Sequence, residues 1–375
     1  MSKINILDFE FICSLGNKQQ TVKNIKESNI KIDKKHIDIL TQPLDVPFYS
    51  FEKPIEQNQD DIYNNLKNIV SKIVKNIPQK DFSTTAIIVG TSIIDWYLVD
   101  AINASAYEDK KKTYQSEKTS IDSYAKRLSD DFGLNGYTMT INTACTSSAN
   151  GLLEAKNLLN EDIFTHIIVI GLEIFSPVMS SGFYSMELIS NNTIKPLDKN
   201  RDGLILGEAI CAMVLAKSGG IASIEGGFTN CNSQTITSVS ASGDECFEVI
   251  QNSLNSANLK SSDITVLKAH STGSLSNDEA EMNAISKIFN QDIIITALKP
   301  YIGHTIGACG ILEIAVMLAC IEDGFIPKTL NCENPIFENY KPIEKDQKCS
   351  SGIFMFNYFG FGGNNTSIIL KKSKQ

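Results

Sequence analysis

The stretch Asn142-Thr143-Ala144-Cys145-Thr146-Ser147-Ser148-Ala149 joins a strand to a helix and places a cysteine at the join. Before it, Gly136 to Ile141 alternates apolar and hydroxyl-bearing side chains and reads as a buried strand. After it, Leu152, Leu153, Ala155, Leu158 and Leu159 recur at helical spacing. Cys145 is therefore expected at or near the first residues of a helix. Free backbone N–H groups and the positive end of the helix dipole favour a thiolate there. Most buried cysteines only fill space. This one stands where a nucleophile is needed, provided a base lies elsewhere in the chain.

Composition limits what the rest can be. The chain has 375 residues, 42% of them hydrophobic, enough for a large core in two domains or one fused pair. Its 34 basic and 43 acidic residues give a net charge of −9, which argues against nucleic acid as the main partner. The N-terminal segment is interrupted by acids and has no signal-peptide core. The most apolar helical stretch, Ile311 to Ile321, contains Glu313 and is too short to span a bilayer. Nine cysteines occur without CxxC pairs, so neither a zinc site nor a disulfide framework is indicated. A reduced, cytoplasmic enzyme without metal or membrane is the expectation.

Strands and helices alternate along the whole chain. Ile4 to Cys13 reads as a strand, followed by a turn and helix cap at Ser14 to Asn17. The polar segment from about Gln20 to Lys80 holds one amphipathic helix, Ile62 to Ile77. Thr85 to Gly90, His166 to Gly171 and Ala209 to Ala216 read as central strands. Tyr107 to Lys118 reads as a charged loop, and Ser120 to Phe132 as a helix. After Gly219-Gly220 the pattern restarts: strand 221–228, helix 245–257, strand 264–269, helix 278–289, strand 293–297, helix 310–321 and strands 352–358 and 365–370. Two successive α/β halves, 1–218 and 219–375, suggest an internal duplication with parallel-rich sheets covered by helices.

The second half supplies candidate bases. Of four histidines, His270 and His304 lie in glycine-rich settings directly after strands, where α/β proteins place ligand chemistry. His36, in a polar stretch, and His166, at a strand start, are expected to be structural or surface residues.

Together these blocks resemble the β-ketoacyl synthases, the decarboxylating condensing enzymes of fatty acid and polyketide assembly. The resemblance rests on Thr143-Ala144-Cys145-Thr146-Ser147-Ser148 and on Pro196 to Glu208 through Arg201, Gly203 and Gly207. It continues with Ala269-His270-Ser271-Thr272 followed by Asp278 and Glu281, Lys299 to Ala308 through Gly303 and His304, and Asn357 to Asn364. It implies the thiolase fold, two duplicated α/β halves in a five-layered αβαβα arrangement.

Carried onto this chain, the resemblance makes Cys145 the nucleophile that takes an acyl group from the pantetheine thioester of an acyl carrier protein. His270 and His304 would polarise the malonyl thioester and stabilise the enolate left by decarboxylation. The backbone N–H groups of Cys145 and Phe361 would form a second oxyanion hole. Phe361, with Phe359, Gly360 and Gly362 around it, matches a mobile gate over the acyl pocket. Lys299, next to Glu281, matches a buried lysine and acid that hold the histidine region, with Asp278 in the same network. Thr272 and Ser274 match hydroxyls lining the pantetheine channel. Lys110, Lys111 and Lys112, with Lys126 and Arg127, are the candidate docking patch for an acidic carrier protein. The resemblance implies no cofactor beyond the phosphopantetheine arm, and a homodimer or a heterodimer with a ketosynthase-like paralogue.

His304 stands where initiating synthases and plant-type polyketide synthases carry asparagine and thiolases carry a second cysteine, so it points to the elongating type. The retained Cys145 argues against a chain-length-factor subunit. A non-decarboxylating acyltransferase or thioester hydrolase would leave the second histidine and Lys299 unexplained. Three features depart from the family pattern. Ser271 replaces the usual glycine after the histidine and is expected to narrow the pantetheine channel. Tyr358 replaces the usual serine. The chain is short around Asp95 to Thr119, where acyl-pocket and dimer contacts usually lie. Fatty acid elongation and specialised polyene or polyketide assembly both remain open.

Overall fold

The computed structural model describes residues 3–39, 42–56, 58–92, 122–134, 136–231 and 240–374. The charged loop at Tyr107 to Lys118, with Lys110, Lys111 and Lys112, lies outside them, as does the whole segment from Asp95 to Thr119. In chain order the strands are β1 (Ile4–Cys13), β2 (Gly16–Asn17), β3 (Asp33–Ile39), β4 (Gln42–Phe48), β5 (Thr85–Gly90), β6 (Thr138–Ile141), β7 (His166–Glu173), β8 (Ala209–Ala216), β9 (Ala222–Cys231), β10 (Val266–Lys268), β11 (Ile294–Thr296), β12 (Phe325–Ile326), β13 (Gln347–Lys348), β14 (Gly352–Phe359) and β15 (Asn364–Lys372). Every residue of β5, β7 and β8 is buried, as their unbroken apolar runs require.

The main sheet runs β11-β10-β14-β15-β9-β1-β8-β7-β5-β6. Its two halves repeat one another. In each, the spatial order is third, second, fourth, fifth and first strand of that half. The first two pairings are parallel and the last two antiparallel. The halves meet through their equivalent first strands, where Ile4 to Ile6 of β1 pair with Ile224 to Ala222 of β9. No residue-level repeat announces this duplication; the topology carries it.

Alternate residues of the strands point to different cores, which makes the layering explicit. Ile167 and Val169 of β7 and Phe354, Phe356 and Tyr358 of β14 face a central core that also holds the helices Ser147–Asn160 and Cys309–Glu322. Ile168 and Ile170 of β7 face an outer core with the helices Gln59–Val74 and Ser123–Phe132. Met355 of β14 faces the opposite outer core with the helices Asp244–Ala257 and Leu275–Ile288. Helix, sheet, helix, sheet, helix is the resulting five-layered order. The helix Cys309–Glu322 lies in the middle, and every residue from Cys309 through Ile321 is buried.

Three local expectations change. β6 is not a buried strand: it is the sheet's edge in the described residues, pairs only with β5, and all four of its residues are partly exposed. The polar segment after Gln20 holds more than one helix. It begins with the helix Lys18–Lys26, capped by Asn17, and contains the antiparallel hairpin of β3 and β4. Pro43 and Pro47 disguised the second strand, because proline fits only strands with a free edge. The amphipathic helix runs Gln59–Val74, three residues earlier than its apolar stripe suggested, because Asn58 caps it by accepting the Asp61 N–H at 2.8 Å.

Candidate active site

Each half contributes parallel strands whose C-terminal ends are followed by the candidate residues, and these residues converge between the halves. Cys145 comes after β6, His270 after β10, His304 after β11 and Phe361 after β14. Cys145 sits in a single 3-10 turn, Ala144–Thr146, that runs into the helix Ser147–Asn160. The helix start is pressed against the second central helix: a Cβ on Gly310 would stand 2.2 Å from the Ala149 nitrogen. The three turns at the site carry strained backbone. Ala144, Ser271 and Ile306 all have positive φ, at 52°, 34° and 37°.

The structure brings Cys145, His270, His304 and Lys299 together, all fully buried. His304 Nε2 lies 3.1 Å from Cys145 Sγ, and the two imidazoles are edge to face with ring centres 5.4 Å apart. Lys299 Nζ donates to His270 Nδ1 at 3.3 Å. An ammonium has only protons to offer, so Nδ1 must accept and the His270 proton resides on Nε2. That Nε2 is buried and has no partner among the described residues, which leaves an unused donor inside the site. His304 has its Nδ1 unpartnered, so neither tautomer of that ring is locked.

Burial and charge keep both rings neutral. Burial, then the Lys299 ammonium, hold the pKa of His270 and His304 well below the usual value. Burial also pushes the Cys145 thiol up to about 12, against the opposing pull of the Phe361 N–H, of Lys299 and of its own N–H. Cys145 is therefore a thiol at rest, and the expected standing thiolate is corrected. The site is too dry for the helix end to hold a free charge, so the proton must pass to His304. The two N–H groups named for the oxyanion hole do act on the sulfur.

Lys299 finds a different acid from the expected Glu281. It pairs with Glu313 Oε1 at 2.7 Å, and Lys268 holds the other oxygen of Glu313. Burial would lower Lys299, yet Glu313 raises it on balance. Glu281 serves the backbone instead, accepting the His270 and Ser271 N–H groups at 2.8 Å each. Lys268 and Glu313 were missed because each looked like an ordinary residue of an apolar element. A charge inside a run as apolar as residues 309–321 was the available signal.

The remaining candidates fall into place around this cluster. Asp278 accepts the Leu197 N–H at 2.8 Å and the Gly273 N–H at 3.2 Å, and burial pushes it up to about 7. Thr272 and Ser274 are buried and bond to each other at 3.0 Å. The Ser271 hydroxyl donates to Glu281 at 3.1 Å, so it is turned onto that carboxylate, contrary to the expected narrowing of the channel. Phe359 is buried 6.2 Å from the His270 ring, while Phe361 is partly exposed and packs edge to face on Phe183 at 5.5 Å. Gly360 lies against Cys145, and Gly362 adopts φ +91°, a conformation that favours glycine. The block Pro196 to Glu208 also acquires a purpose. Ile205 accepts the His304 N–H at 2.8 Å, Gly207 donates to the His304 carbonyl at 3.1 Å, and Gly203 donates to the Gly273 carbonyl at 3.0 Å.

Other candidates do not join the cluster. His36 bonds Asp45 on the exposed hairpin, and His166 stands at the far end of β7 beside Asp81. Arg127 pairs with Asp60 at 3.0 Å and stacks on Tyr63, so its charge is already engaged; Lys126 is exposed. A surface cleft of about 670 Å³ beside Lys18, Lys23 and Asp323 contains none of the site residues. None of the nine cysteines forms a disulfide. Among the described residues there is no group placed to hold a metal ion and no helix long and apolar enough to cross a membrane.

Comparison with known proteins agrees with this geometry. The family described as beta-ketoacyl synthase, N-terminal domain, matches residues 71–219, and its C-terminal domain counterpart matches residues 221–333. The chloroplastic 3-oxoacyl-[acyl-carrier-protein] synthase I of Arabidopsis thaliana is 31% identical over 267 residues, covering 66% of this chain and 56% of that protein. The ketoacyl synthase alpha subunit of the tetracenomycin polyketide synthase of Streptomyces glaucescens is 28% identical over 276 residues, covering 68% of this chain and 64% of that one. The matched part thus spans less than two thirds of these curated relatives. Two solved structures share the fold over nearly their full length. One is a beta-ketoacyl synthase from Burkholderia phymatum, with a TM-score of 0.86 at 21% identity and 100% of both chains covered. The other is a ketosynthase from Xenorhabdus doucetiae, solved with its chain length factor, with a TM-score of 0.86 at 20% identity, 99% of this chain and 98% of that one covered. The chain belongs to the β-ketoacyl synthase family, within the thiolase superfamily.

Proposed function

We propose that this chain catalyses decarboxylative condensation of an acyl group with malonyl-acyl carrier protein, giving a β-ketoacyl-acyl carrier protein. The observation that carries the reading is the unpartnered Nε2 of His270 beside the His304–Cys145 pair. It offers one nucleophile and two imidazoles on a single small volume.

The Cys145 proton passes to His304 Nε2, and the thiolate attacks the acyl thioester carbonyl. The N–H groups of Cys145 and Phe361 hold the resulting oxyanion. The intermediate collapses, and the leaving pantetheine thiolate takes the proton. Malonyl thioester then enters, its carbonyl oxygen accepting hydrogen bonds from His270 Nε2–H and from His304, whose unlocked ring shifts its proton from Nδ1 to Nε2. Carbon dioxide leaves without its bonding electrons, and the enolate forms against these donors. The enolate carbon attacks the acyl carbon on Cys145, and the released thiolate is reprotonated from solvent. No cofactor is required beyond the pantetheine arm that delivers both substrates.

The catalytic halves are 1–218 and 219–375, the carrier protein is the macromolecular partner, and the protein works in the cytoplasm. Its partner across the dimer is a second copy or a ketosynthase-like paralogue. The second choice is kept as the alternative to the homodimer, in line with the fold relative from Xenorhabdus doucetiae that was solved with a chain length factor. Whether the acyl chain belongs to fatty acid or polyene and polyketide assembly follows from the carrier protein. A non-decarboxylating acyltransferase would leave His270 Nε2 without a task.

Cys145→Ala tests the reading. Condensation should disappear, while carbon dioxide release from malonyl-carrier protein should persist, because the histidines serve that step. Retained condensation, or a protein that never releases carbon dioxide, would reject the assignment.

A further inference from the structure

Glu173 is a buried carboxyl that the reaction above does not use, and it stands between the two turns on which that reaction depends. It is the last residue of β7. Its Oε2 accepts three hydrogen bonds: from the Ser92 N–H at 3.2 Å, the Ser92 hydroxyl at 2.8 Å and the Gly307 N–H at 2.9 Å. The Ser92 carbonyl in turn accepts from the Asn142 amide at 3.0 Å, and Asn142 Oδ1 accepts the Ala144 N–H at 3.4 Å. One arm therefore reaches the residue before Cys145. The other reaches Gly307, three residues after His304. A Cβ on Gly307 would stand 2.5 Å from the Ser92 nitrogen, so the turn after His304 rests directly on Ser92. The two arms join the two halves of the molecule. The second oxygen, Oε1, is buried and has no protein partner among the described residues.

We propose that Glu173 is a positioning residue for this reaction, tying Ser92 to Gly307 and thereby fixing the distance and line of proton transfer between Cys145 and His304. The inference rests on the reading of those two residues as the working pair. Misplacing a reacting pair by about 1 Å can cost about 100-fold in rate, so a strut spanning both turns has leverage far beyond its own hydrogen bonds. The state of the carboxyl matters too. Burial pushes Glu173 up to about 8, so at neutral pH it is an uncharged strut. When ionised it raises the Cys145 thiol further, opposing thiolate formation, while Lys299 acts in the other sense.

The test measures alkylation of Cys145 by iodoacetamide in the full chain from about pH 6 to about pH 9, with melting temperatures alongside. Glu173→Ala should slow alkylation at neutral pH by about 10- to 100-fold. Glu173→Gln keeps an oxygen for the same N–H donors and should restore the rate to within about threefold of wild type. The wild-type rate should flatten above about pH 8 as Glu173 ionises, whereas the glutamine variant should keep rising. A wild-type rate in Glu173→Ala would overturn the proposal. So would equal slowing in both variants with lowered melting temperatures, which would make the carboxyl structural. Superposable pH profiles would remove the charge coupling. Because alkylation reports on Cys145 without any condensation, failure here is separable from failure of the proposed reaction.

Discussion

Cys145 reacts only if its proton has somewhere to go, and the residues behind the histidines decide that. Lys268, Glu313 and Lys299 form a buried group with one carboxylate between two ammonium ions. Burial first, and its net positive charge second, keep the imidazoles neutral, and the Lys299 bond sets the His270 tautomer. Removing one partner of a buried ion pair costs about 3–5 kcal/mol because the other charge is left unpaired. Glu313→Leu should therefore lower stability by about that amount in urea unfolding. Lys299→Met leaves Glu313 paired with Lys268 and should cost clearly less stability. It should nevertheless slow malonyl decarboxylation by about 10- to 100-fold, since His270 no longer presents a fixed Nε2–H. Equal destabilisation by both variants, or unchanged decarboxylation in Lys299→Met, would show that the tautomer is set otherwise. At this scale the sequence revealed the residues that do chemistry but not all of their partners. Cys145, His270 and His304 stand in short, recognisable settings directly after strands. The pairing of Lys299 with Glu313 depends on the rotation of the helix Cys309–Glu322, and no local spacing reports that rotation.

The turn after β14 is the element that the resemblance marks as a gate over the acyl pocket. It is closed by the Gly360 N–H to the Asn364 carbonyl at 2.8 Å, and the Gly363 N–H to the Gly360 carbonyl at 3.2 Å. Phe361 leaves it sideways and rests on Phe183, at the edge of the central core. Phe359, two residues earlier, is fully buried against His270, so the turn has one fixed aromatic and one at its surface. An edge-to-face pair is worth about 0.5–1.5 kcal/mol beyond its buried area. Phe361→Ala should consequently lower stability only slightly while impairing acyl transfer to Cys145 and blurring acyl-chain selection. Stopped-flow acylation and urea unfolding of the same variant separate these effects. A loss of about 3–5 kcal/mol would place Phe361 among the core aromatics instead. Elements with strong period were legible: β5, β7, β8 and the helix Cys309–Glu322 all fell within two or three residues of expectation. The hairpin of β3 and β4 was not, because its lysines, aspartates and prolines interrupt a short alternation whose Ile37, Val46 and Phe48 turn inward to the core. β6 was placed correctly but judged buried, since alternation alone cannot tell a central strand from an edge.

At the scale of the whole molecule, the duplication brings the ends of six parallel strands together and seals ionisable groups inside the seam. Burying those groups makes stability depend on pH in a defined direction. Burial pushes Glu173 up to about 8 and Asp278 up to about 7. In the unfolded chain such carboxyls titrate near about 4. The folded protein therefore keeps protons that the unfolded chain releases, and the stability they contribute is whole below about pH 4 and lost as pH rises through 7 to 8. His270 and His304 act oppositely. Their pKa values are lowered, so the unfolded chain binds protons more readily and stability is lost as pH falls below about 6.5. Between about pH 6.5 and about pH 8 the histidines are neutral in the folded state and lose only their remaining half proton each in the unfolded chain, a smaller opposing change that leaves the carboxyls in control. Across that window Glu173 alone is expected to cost about 2 kcal/mol, with Asp278 adding a smaller amount in the same direction. The buried thiols reinforce the trend at its upper end, because burial raises them as well. Urea unfolding should accordingly give a lower midpoint at pH 8 than at pH 6.5. The difference should shrink in Glu173→Gln and shrink further when Asp278→Asn is added. A midpoint that rises with pH in the wild type, or a difference untouched by both substitutions, would mean that these carboxyls are ionised and compensated within the fold.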